Sequence, residues 1–440
     1  HTEAHRGGRV TTAAIDDSRA MIGRFVGYDP ERDVVLFTAN GTTGATNFLA
    51  RALYPPELRS VIKRFPDGAP VSFVRALKDA IGPDGGEAID LLLERPLVVT
   101  TRMEHHSNLL PWIEAVGRHN MRVVPVDPQT GALRMDALER ILDEEGDRVR
   151  LVAVTGTSNV TGIINPVHEI AQMAHRVGAE IMVDGAQWVP HAPVNLHPGN
   201  GATGDDLDYL VFSGHKLYAP GSRGALIGRL STLEGARCVT DVGGGMVEYV
   251  SIEDYEIKAE VTAREEAGTP NIPGTLSMGV VVRELLSVGM DLVAEAEHRL
   301  TERLVERLAS IDNVRIFGST DLAKVPRAGV VSFEVLGLPH GLVAAYLDDE
   351  HSIAVRDGCF CAQPYVADLL GCMGPGLPDA KPGMVRASLG IYSTEDDVEA
   401  LGAALEALLA DRDRVCRGYA IDGHGRWRPT DAFTQVEGGA

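Results

Sequence analysis

Short apolar runs alternate with helical patterns along most of the 440-residue chain. Strands are predicted at 34–37, 97–100, 121–125, 150–155, 180–183 and 208–212, and helices near 11–26, 134–144 and 166–177. Strands separated by helices form parallel sheets that are covered on both faces. The alternation therefore predicts a doubly wound α/β domain, in which ligands collect beyond the carboxyl ends of the strands.

A lysine, Lys216, follows the strand predicted at 208–212. Burial at a strand end removes water from the charged ammonium, so the neutral amine becomes available as a nucleophile or base. Ser213 and His215 add a hydroxyl and an imidazole that could hold a phosphate. This stretch predicts Schiff-base chemistry; the alternative is an ordinary strand end with a solvated lysine.

A carboxylate, Asp184, ends the strand predicted at 180–183 and lies at the same sheet edge. A buried carboxylate needs a cationic partner. An Asp on a pyridinium nitrogen, together with a lysine Schiff base, is typical of enzymes that use pyridoxal phosphate (PLP). Gln187 could donate to the ring hydroxyl and His105 could lie over the ring. The alternative for His105 and His106 is a pair of helix-cap residues.

A second candidate phosphate site follows the strand at 34–37, in the stretch Asn40-Gly-Thr-Thr-Gly44. Thr42 and Thr43 offer hydroxyls where a helix is predicted to begin, and free amides at a helix N-terminus attract anions. An ordinary capped helix would give the same pattern.

Composition narrows the classes of function. The net charge of -21 and pI near 5.1 disfavour binding to nucleic acid. The chain has no run of about 18 apolar residues, so we expect no membrane insertion. Five cysteines, an odd number, do not indicate a disulfide framework. We expect a cytoplasmic protein, since this cysteine usage suits a reducing compartment and no signal-peptide pattern begins at His1. We also expect no metal site, because no second cysteine pair lies near Cys359 and Cys361.

Six motifs occur in order: Met103-Glu-His-His-Ser-Asn108, Ser158-Asn-Val-Thr-Gly162, Val183-Asp-Gly-Ala-Gln187, Phe212-Ser-Gly-His-Lys-Leu-Tyr218, Ala267-Gly-Thr-Pro-Asn271 and Val355-Arg-Asp-Gly-Cys-Phe-Cys-Ala-Gln-Pro364. Together they resemble class V, fold-type I PLP enzymes of the cysteine desulfurase and selenocysteine lyase group. The resemblance extends to about residue 412. It implies a large, mainly parallel seven-stranded sheet domain and a smaller C-terminal α/β domain.

The resemblance also implies a role for each matching residue. Lys216 would form the Schiff base, Asp184 would bind the pyridine nitrogen, Gln187 would lie near the ring hydroxyl, His105 would stack on the ring, and Asn159 would lie near the substrate and the ring oxygen. Thr43, Ser213 and His215 would hold the phosphate, with Thr42 adjacent, and Thr269 would reach the phosphate of a neighbouring subunit. An obligate homodimer with active sites at the subunit interface is therefore implied.

Two arginines and a cysteine complete the implied site. Arg386 matches the arginine that binds the substrate carboxylate, and Arg356 is a further substrate-binding candidate close to Cys361. Cys361 matches the nucleophilic cysteine of the desulfurases. Cys359 and Phe360 depart from the histidines usual in this group, so the two cysteines could instead relay sulfur, serve another reaction or form a structural pair.

We expect four segments. Residues 1–30 form an N-terminal segment that joins the small domain and is truncated, because the family's usual opening strand is missing before His1. Residues 31–288 form the PLP-binding domain, with an insertion at about 51–95. Residues 289–412 form the small domain, entered by one long helix from 275 to 311, and 413–440 form a tail.

The expected reaction begins when the Lys216 amine removes the Cα proton of a small amino-acid substrate. In a desulfurase, Cys361 then attacks the sulfur of L-cysteine, which leaves a persulfide and alanine, and an acceptor protein could take the sulfur. In a C–S β-lyase the thiol departs without Cys361, and pyruvate and ammonia form. A class V aminotransferase or epimerase is the remaining alternative.

Overall fold

The structure, a computed structural model, describes residues 4–65, 70–81, 93–199, 203–236, 242–371 and 382–430. The chain divides into two compact units. The large unit holds residues 1–125, 133–157 and 165–291, and the small unit holds residues 126–132, 158–164 and 292–440. Within the described part of the chain, every helix is too short or too polar to span a lipid bilayer.

A seven-stranded sheet forms the centre of the large unit. Its strands are β1 Asp33–Thr38, β2 Leu97–Thr101, β3 Met121–Val124, β4 Val149–Thr155, β5 Glu180–Asp184, β6 Tyr209–Ser213 and β7 Gly224–Arg229, in the order β1-β7-β6-β5-β4-β2-β3. Neighbours from β6 to β3 are parallel, and β7 runs antiparallel to both β1 and β6. The predicted fold class, with a mainly parallel seven-stranded sheet, is confirmed.

Helices pack around this sheet. They are α1 Arg6–Phe25, α2 Gly41–Leu53, α3 Pro56–Arg64, α4 Val71–Ile81, α5 Leu110–Val116, α6 Met135–Glu145, α7 Val167–Arg176, α8 Leu230–Gly235, α9 Val261–Glu265 and α10 Ile272–Val288. A hairpin of β8 Val247–Val250 and β9 Tyr255–Ile257 lies outside the sheet. Six strands of the sheet are buried over nearly their whole length, as expected of a sheet with two covered faces, and only the edge strand β3 is largely accessible.

The N-terminal helix α1 belongs to the large unit, and not to the small domain predicted for residues 1–30. It packs along α10 and buries Ile15 and Ile22. Gly279 permits this approach, because a Cβ at that position would lie 2.3 Å from Oγ of Ser18. Close packing between the two helices therefore accounts for the difference.

The small unit is built on a four-stranded antiparallel sheet with the order β10-β11-β13-β12. Its strands are β10 Val314–Ile316, β11 Val330–Val335, β12 Arg356–Gly358 and β13 Met384–Ser388, and a separate hairpin pairs β14 Tyr419–Ile421 with β15 Trp427–Pro429. The helices are α11 Met290–Ala309, α12 His340–His351, α13 Gln363–Leu370, α14 Glu395–Ala410 and α15 Arg412–Gly418. The single helix predicted over 275–311 is wrong, because Gly289 has φ +92° and separates α10 from α11.

Candidate active site

Asp184 and Lys216 stand at the ends of neighbouring parallel strands. Asp184 is the last residue of β5, and Lys216 follows the end of β6 at Ser213 by three residues. The Asp184 side chain is buried, and its Oδ1 accepts a hydrogen bond from the amide of Ala186 at 3.0 Å. Burial raises the pKa of Asp184, and the positive charge of Lys216 opposes that rise. The two groups therefore attract each other at the carboxyl edge of the sheet.

The chemistry of this pair fits PLP. A carboxylate that is 3% exposed is stable as an anion only beside cationic or hydrogen-bonding donors. A protonated pyridine nitrogen would supply such a donor to Asp184, and the Lys216 amine would bind the aldehyde of the cofactor. Gln187 is half-buried three residues beyond Asp184, and the role predicted for it stays a prediction.

The end of β6 is fixed to the N-terminus of α2. Oγ of Ser213 accepts a hydrogen bond from the amide of Thr42 at 2.8 Å and lies 2.8 Å from the Thr42 hydroxyl. Gly41 has φ +61°, and a Cβ there would lie 2.5 Å from Oγ of Ser213. A helix N-terminus brought against a serine and a threonine is a suitable cradle for a phosphate.

Two further candidates lie beside this cradle. The Thr43 hydroxyl is 2.6 Å from that of Ser107, and Nδ1 of His105 accepts from the Ser107 amide at 3.1 Å. His105 thus caps the short 3₁₀ turn His106–Asn108, as the alternative interpretation of this histidine expects. Its stacking on a cofactor ring stays a prediction.

Two other predicted phosphate ligands are more exposed. His215 lies on the turn after β6, where partial burial and then the charge of Lys216 lower its pKa. A neutral imidazole can accept or donate a hydrogen bond. Thr269 is exposed on the segment before α10, and its predicted contact with a neighbouring subunit stays a prediction.

A buried carboxylate without an assigned role, Glu104, lies next to His105. It accepts hydrogen bonds from the Thr101 hydroxyl at 2.6 Å, the Asn108 amide at 2.6 Å and the Thr155 amide at 3.0 Å. Burial raises its pKa to about 8, against the effect of these donors. Glu104 therefore ties the His105 segment to the ends of β2 and β4. An acidic residue three positions after a buried strand is the sequence signal that could have identified it.

Arg386 lies on β13 of the small unit with Asn159 beside it. Its Nη1 donates to the carbonyl of Asn159 at 2.7 Å, and its buried Nε has no hydrogen-bond partner among the described residues. Burial, and secondarily Arg356, lowers the pKa of Arg386 to about 10. Arg356 and Arg386 are paired in register across β12 and β13. Two adjacent arginines repel each other unless an anion lies between them, so this position suits a carboxylate.

Cys361 occupies a strained turn of the small unit. The Ala362 amide donates to the Cys359 carbonyl at 2.8 Å, and the two central residues, Phe360 and Cys361, have φ +52° and +56°. Left-handed backbone costs about 1–2 kcal/mol at each residue other than glycine. The turn leaves Cys361 exposed and Cys359 half-buried, with Sγ of Cys359 donating to the Pro382 carbonyl at 3.0 Å. Burial, and then the proximity of Cys361, raises the pKa of the Cys359 thiol.

Comparison with known proteins places the chain in a family. The family model of class-V aminotransferases matches residues 88–401. A cysteine desulfurase of Dickeya dadantii is 32% identical over 411 residues, which cover 93% of this chain and 84% of that protein. One from Escherichia coli is 34% identical over 313 residues, covering 71% of this chain and 70% of that protein.

A solved structure extends the likeness to the fold. The apo structure of a cysteine desulfurase from Thermococcus onnurineus has a TM-score of 0.73 and 30% identity, and the match covers 93% of this chain and 87% of that one. The predicted family, enzyme class and cofactor are confirmed. The chain belongs to the class-V aminotransferase family, and it is a PLP-dependent enzyme of the cysteine desulfurase-like kind.

Proposed function

We propose that this enzyme removes sulfur from L-cysteine and leaves alanine and a persulfide on Cys361. The observation that carries the proposal is the Arg386 guanidinium, which is largely buried and has no acidic partner among the described residues. A buried guanidinium without an acidic partner can bind a planar carboxylate through two parallel hydrogen bonds. An amino-acid substrate carries such a carboxylate.

The other site residues each have a separate role in the proposed reaction. When bound, PLP withdraws electrons from the substrate Cα, so that this carbon can lose its proton. The Lys216 amine takes that proton, and Asp184 supplies the negative charge that stabilises a protonated pyridine nitrogen. Thr42, Thr43 and Ser213, with the N-terminal amides of α2, hold the phosphate.

Cys361 then receives the sulfur. Its thiolate attacks the sulfur of the substrate, and the Cβ–S bond breaks with its electron pair going to carbon. One proton added at Cβ and one returned to Cα then complete alanine. The exposed position of Cys361 supports transfer of the persulfide sulfur to an acceptor protein. A thiol that must stay reduced supports a cytoplasmic location.

Product analysis tests the proposal. Purified enzyme is incubated with L-cysteine, and alanine and pyruvate are measured together. We expect alanine from the wild type, none from Cys361→Ala, and unchanged alanine from Cys416→Ala, a matched change at another exposed cysteine. Pyruvate that forms equally in the Cys361→Ala enzyme would establish a C–S lyase instead.

We further propose that the enzyme is a homodimer that uses the hairpin of β8 and β9. Tyr249, Val250, Ile252 and Tyr255 of this hairpin are 53–98% exposed. An isolated two-stranded hairpin is marginally stable, and a cluster of exposed apolar side chains marks an interaction surface. Light scattering after size-exclusion chromatography should give the mass of two chains for the wild type and of one for Ile252→Glu. An unchanged mass for Ile252→Glu would exclude the hairpin as the interface.

A further inference from the structure

Phe360 links three parts of the small unit. Its ring is 3% exposed and lies under the Arg386 guanidinium, with the ring centroid 5.1 Å from Cζ. The Phe360 carbonyl accepts a hydrogen bond from Nδ2 of Asn159 at 2.7 Å. The Asn159 carbonyl in turn accepts from Nη1 of Arg386 at 2.7 Å. These contacts form a closed circuit of three residues, in which Phe360 touches each of the other two.

The same residue belongs to the turn that carries the cysteine. Phe360 and Cys361 are consecutive and both left-handed, with φ +52° and +56°. Neither is a glycine, so contacts elsewhere must hold this backbone. The buried ring under Arg386 and the carbonyl bonded to Asn159 provide two such contacts.

We propose that Phe360 is a positioning residue that orients Arg386 for the substrate carboxylate and couples that orientation to the position of Cys361. The inference rests on the proposed function, in which Arg386 binds the carboxylate and Cys361 takes the sulfur. A guanidinium that faces an aromatic ring keeps its N–H groups in its own plane, and these remain available for a bidentate carboxylate. The ring attracts the cation without competing for those hydrogen bonds.

The absence of charge on the Phe360 ring also favours carboxylate binding by Arg386. Arg386 lies in register with Arg356 on the neighbouring strand, so the local charge is already positive. A charged base at position 360 would add to the repulsion, and an acid would pair with Arg386 and block the substrate. A phenyl ring does neither, because its face offers only the partial negative charge of its π electrons.

Fluorinated phenylalanines at position 360 test the proposal without changing the shape of the side chain. Successive fluorines in 4-fluoro-, 3,5-difluoro- and 3,4,5-trifluorophenylalanine weaken the negative face of the ring. The half-saturating concentrations of L-cysteine for turnover and of L-alanine for the change of cofactor absorbance near 420 nm should both rise with fluorine number. We expect a rise of roughly five- to tenfold for the trifluoro ring. The half-saturating concentration of cysteamine, which lacks a carboxylate, should show no trend across the same fluorine series.

A matched pair in the same unit serves as the control. Cζ of Arg315 lies 4.8 Å from the ring centroid of Phe317, so trifluorophenylalanine at 317 weakens the same kind of contact away from Arg386. That variant should keep the wild-type half-saturation for both amino acids. Equal half-saturation across the fluorine series at 360, or an equal rise for cysteamine, would overturn the proposal.

The absorbance readout separates the two proposals. If the wild type yields no alanine from L-cysteine, the proposed function fails, but a fluorine-dependent affinity for L-alanine still supports the role of Phe360. If the wild type yields alanine and the series at 360 is flat, the proposed function stands and the inference fails.

Discussion

The Ser213 hydroxyl and the Thr42 amide lie 2.8 Å apart and join the end of β6 to the start of α2. The two residues are 171 positions apart in sequence. Their contact brings a helix N-terminus to the strand that leads into Lys216. The residues proposed to bind the phosphate and the lysine proposed to form the Schiff base are therefore joined through the end of β6.

Ser213→Ala should weaken PLP binding about tenfold, because the change removes one hydrogen bond to a charged group and releases the α2 N-terminus. Titration of the apoenzyme with PLP, followed near 420 nm, measures the effect. Ser310→Ala, at an exposed hydroxyl of the small unit that donates to the Arg307 carbonyl, should leave the affinity unchanged. Equal affinities for Ser213→Ala and the wild type would remove Ser213 from the cradle.

Asp184→Asn should retain the cofactor and lose activity by roughly 10²–10³, the range for removing one preorganised electrostatic contact. The amide has no negative charge with which to stabilise a protonated pyridine nitrogen. Alanine formation and the 420 nm band are measured on the same sample. A variant with the wild-type rate would show that the buried carboxylate has no part in catalysis.

Glu104→Gln should destabilise the large unit by about 1–3 kcal/mol, the cost of a buried unpaired donor. Either orientation of the new amide sets its NH₂ group against a donor, the Asn108 side chain or the Thr155 backbone. Urea denaturation at pH 9, above the raised pKa of Glu104, measures the free energy of unfolding with the carboxylate ionised. Glu114→Gln is the control, since the Glu114 side chain is 76% exposed. Equal unfolding free energies for wild type and Glu104→Gln would contradict the network.

Stability should fall as pH rises because of His175. Its Nε2 lies 2.9 Å from Oδ2 of Asp208 and its Nδ1 lies 2.7 Å from the Gly204 carbonyl, so both ring nitrogens face acceptors. The bond to Asp208 raises the pKa of His175 in spite of burial and of the charge of Arg229. Protonated His175 therefore stabilises the fold below about pH 6.5, and this stabilisation is lost as pH rises through the raised pKa.

Thermal unfolding at pH 6 and pH 9 measures this dependence. His175→Gln cannot take up the proton, so its melting temperature should lie on the order of 3 °C below that of the wild type at pH 6. The difference between the two proteins should shrink at pH 9. A constant difference at both pH values would contradict a role for the His175 proton.

The alternation of strands and helices was predictable because each buried strand is a continuous apolar run. The strand β7, Gly224–Arg229, was not predicted, since it directly follows a glycine-rich turn and carries two glycines of its own. The break between α10 and α11 was also missed, because the helical periodicity continues on both sides of Gly289. The local sequence pattern does not show which residue adopts a positive φ. It also does not show with which strand a short segment pairs.

The sequence by itself determined the α/β class and indicated PLP chemistry, because Asp184 and Lys216 follow apolar runs whose ends must share one sheet edge. The family followed from the resemblance that the six ordered motifs carry. Only the tertiary structure revealed the Glu104 network, the contact of Thr42 with Ser213 and the ring of Phe360 under Arg386. These contacts join segments that lie far apart along the chain or depend on side-chain direction. The distances between such segments and the orientations of their side chains are set only when the chain packs. The local order of residues does not determine them.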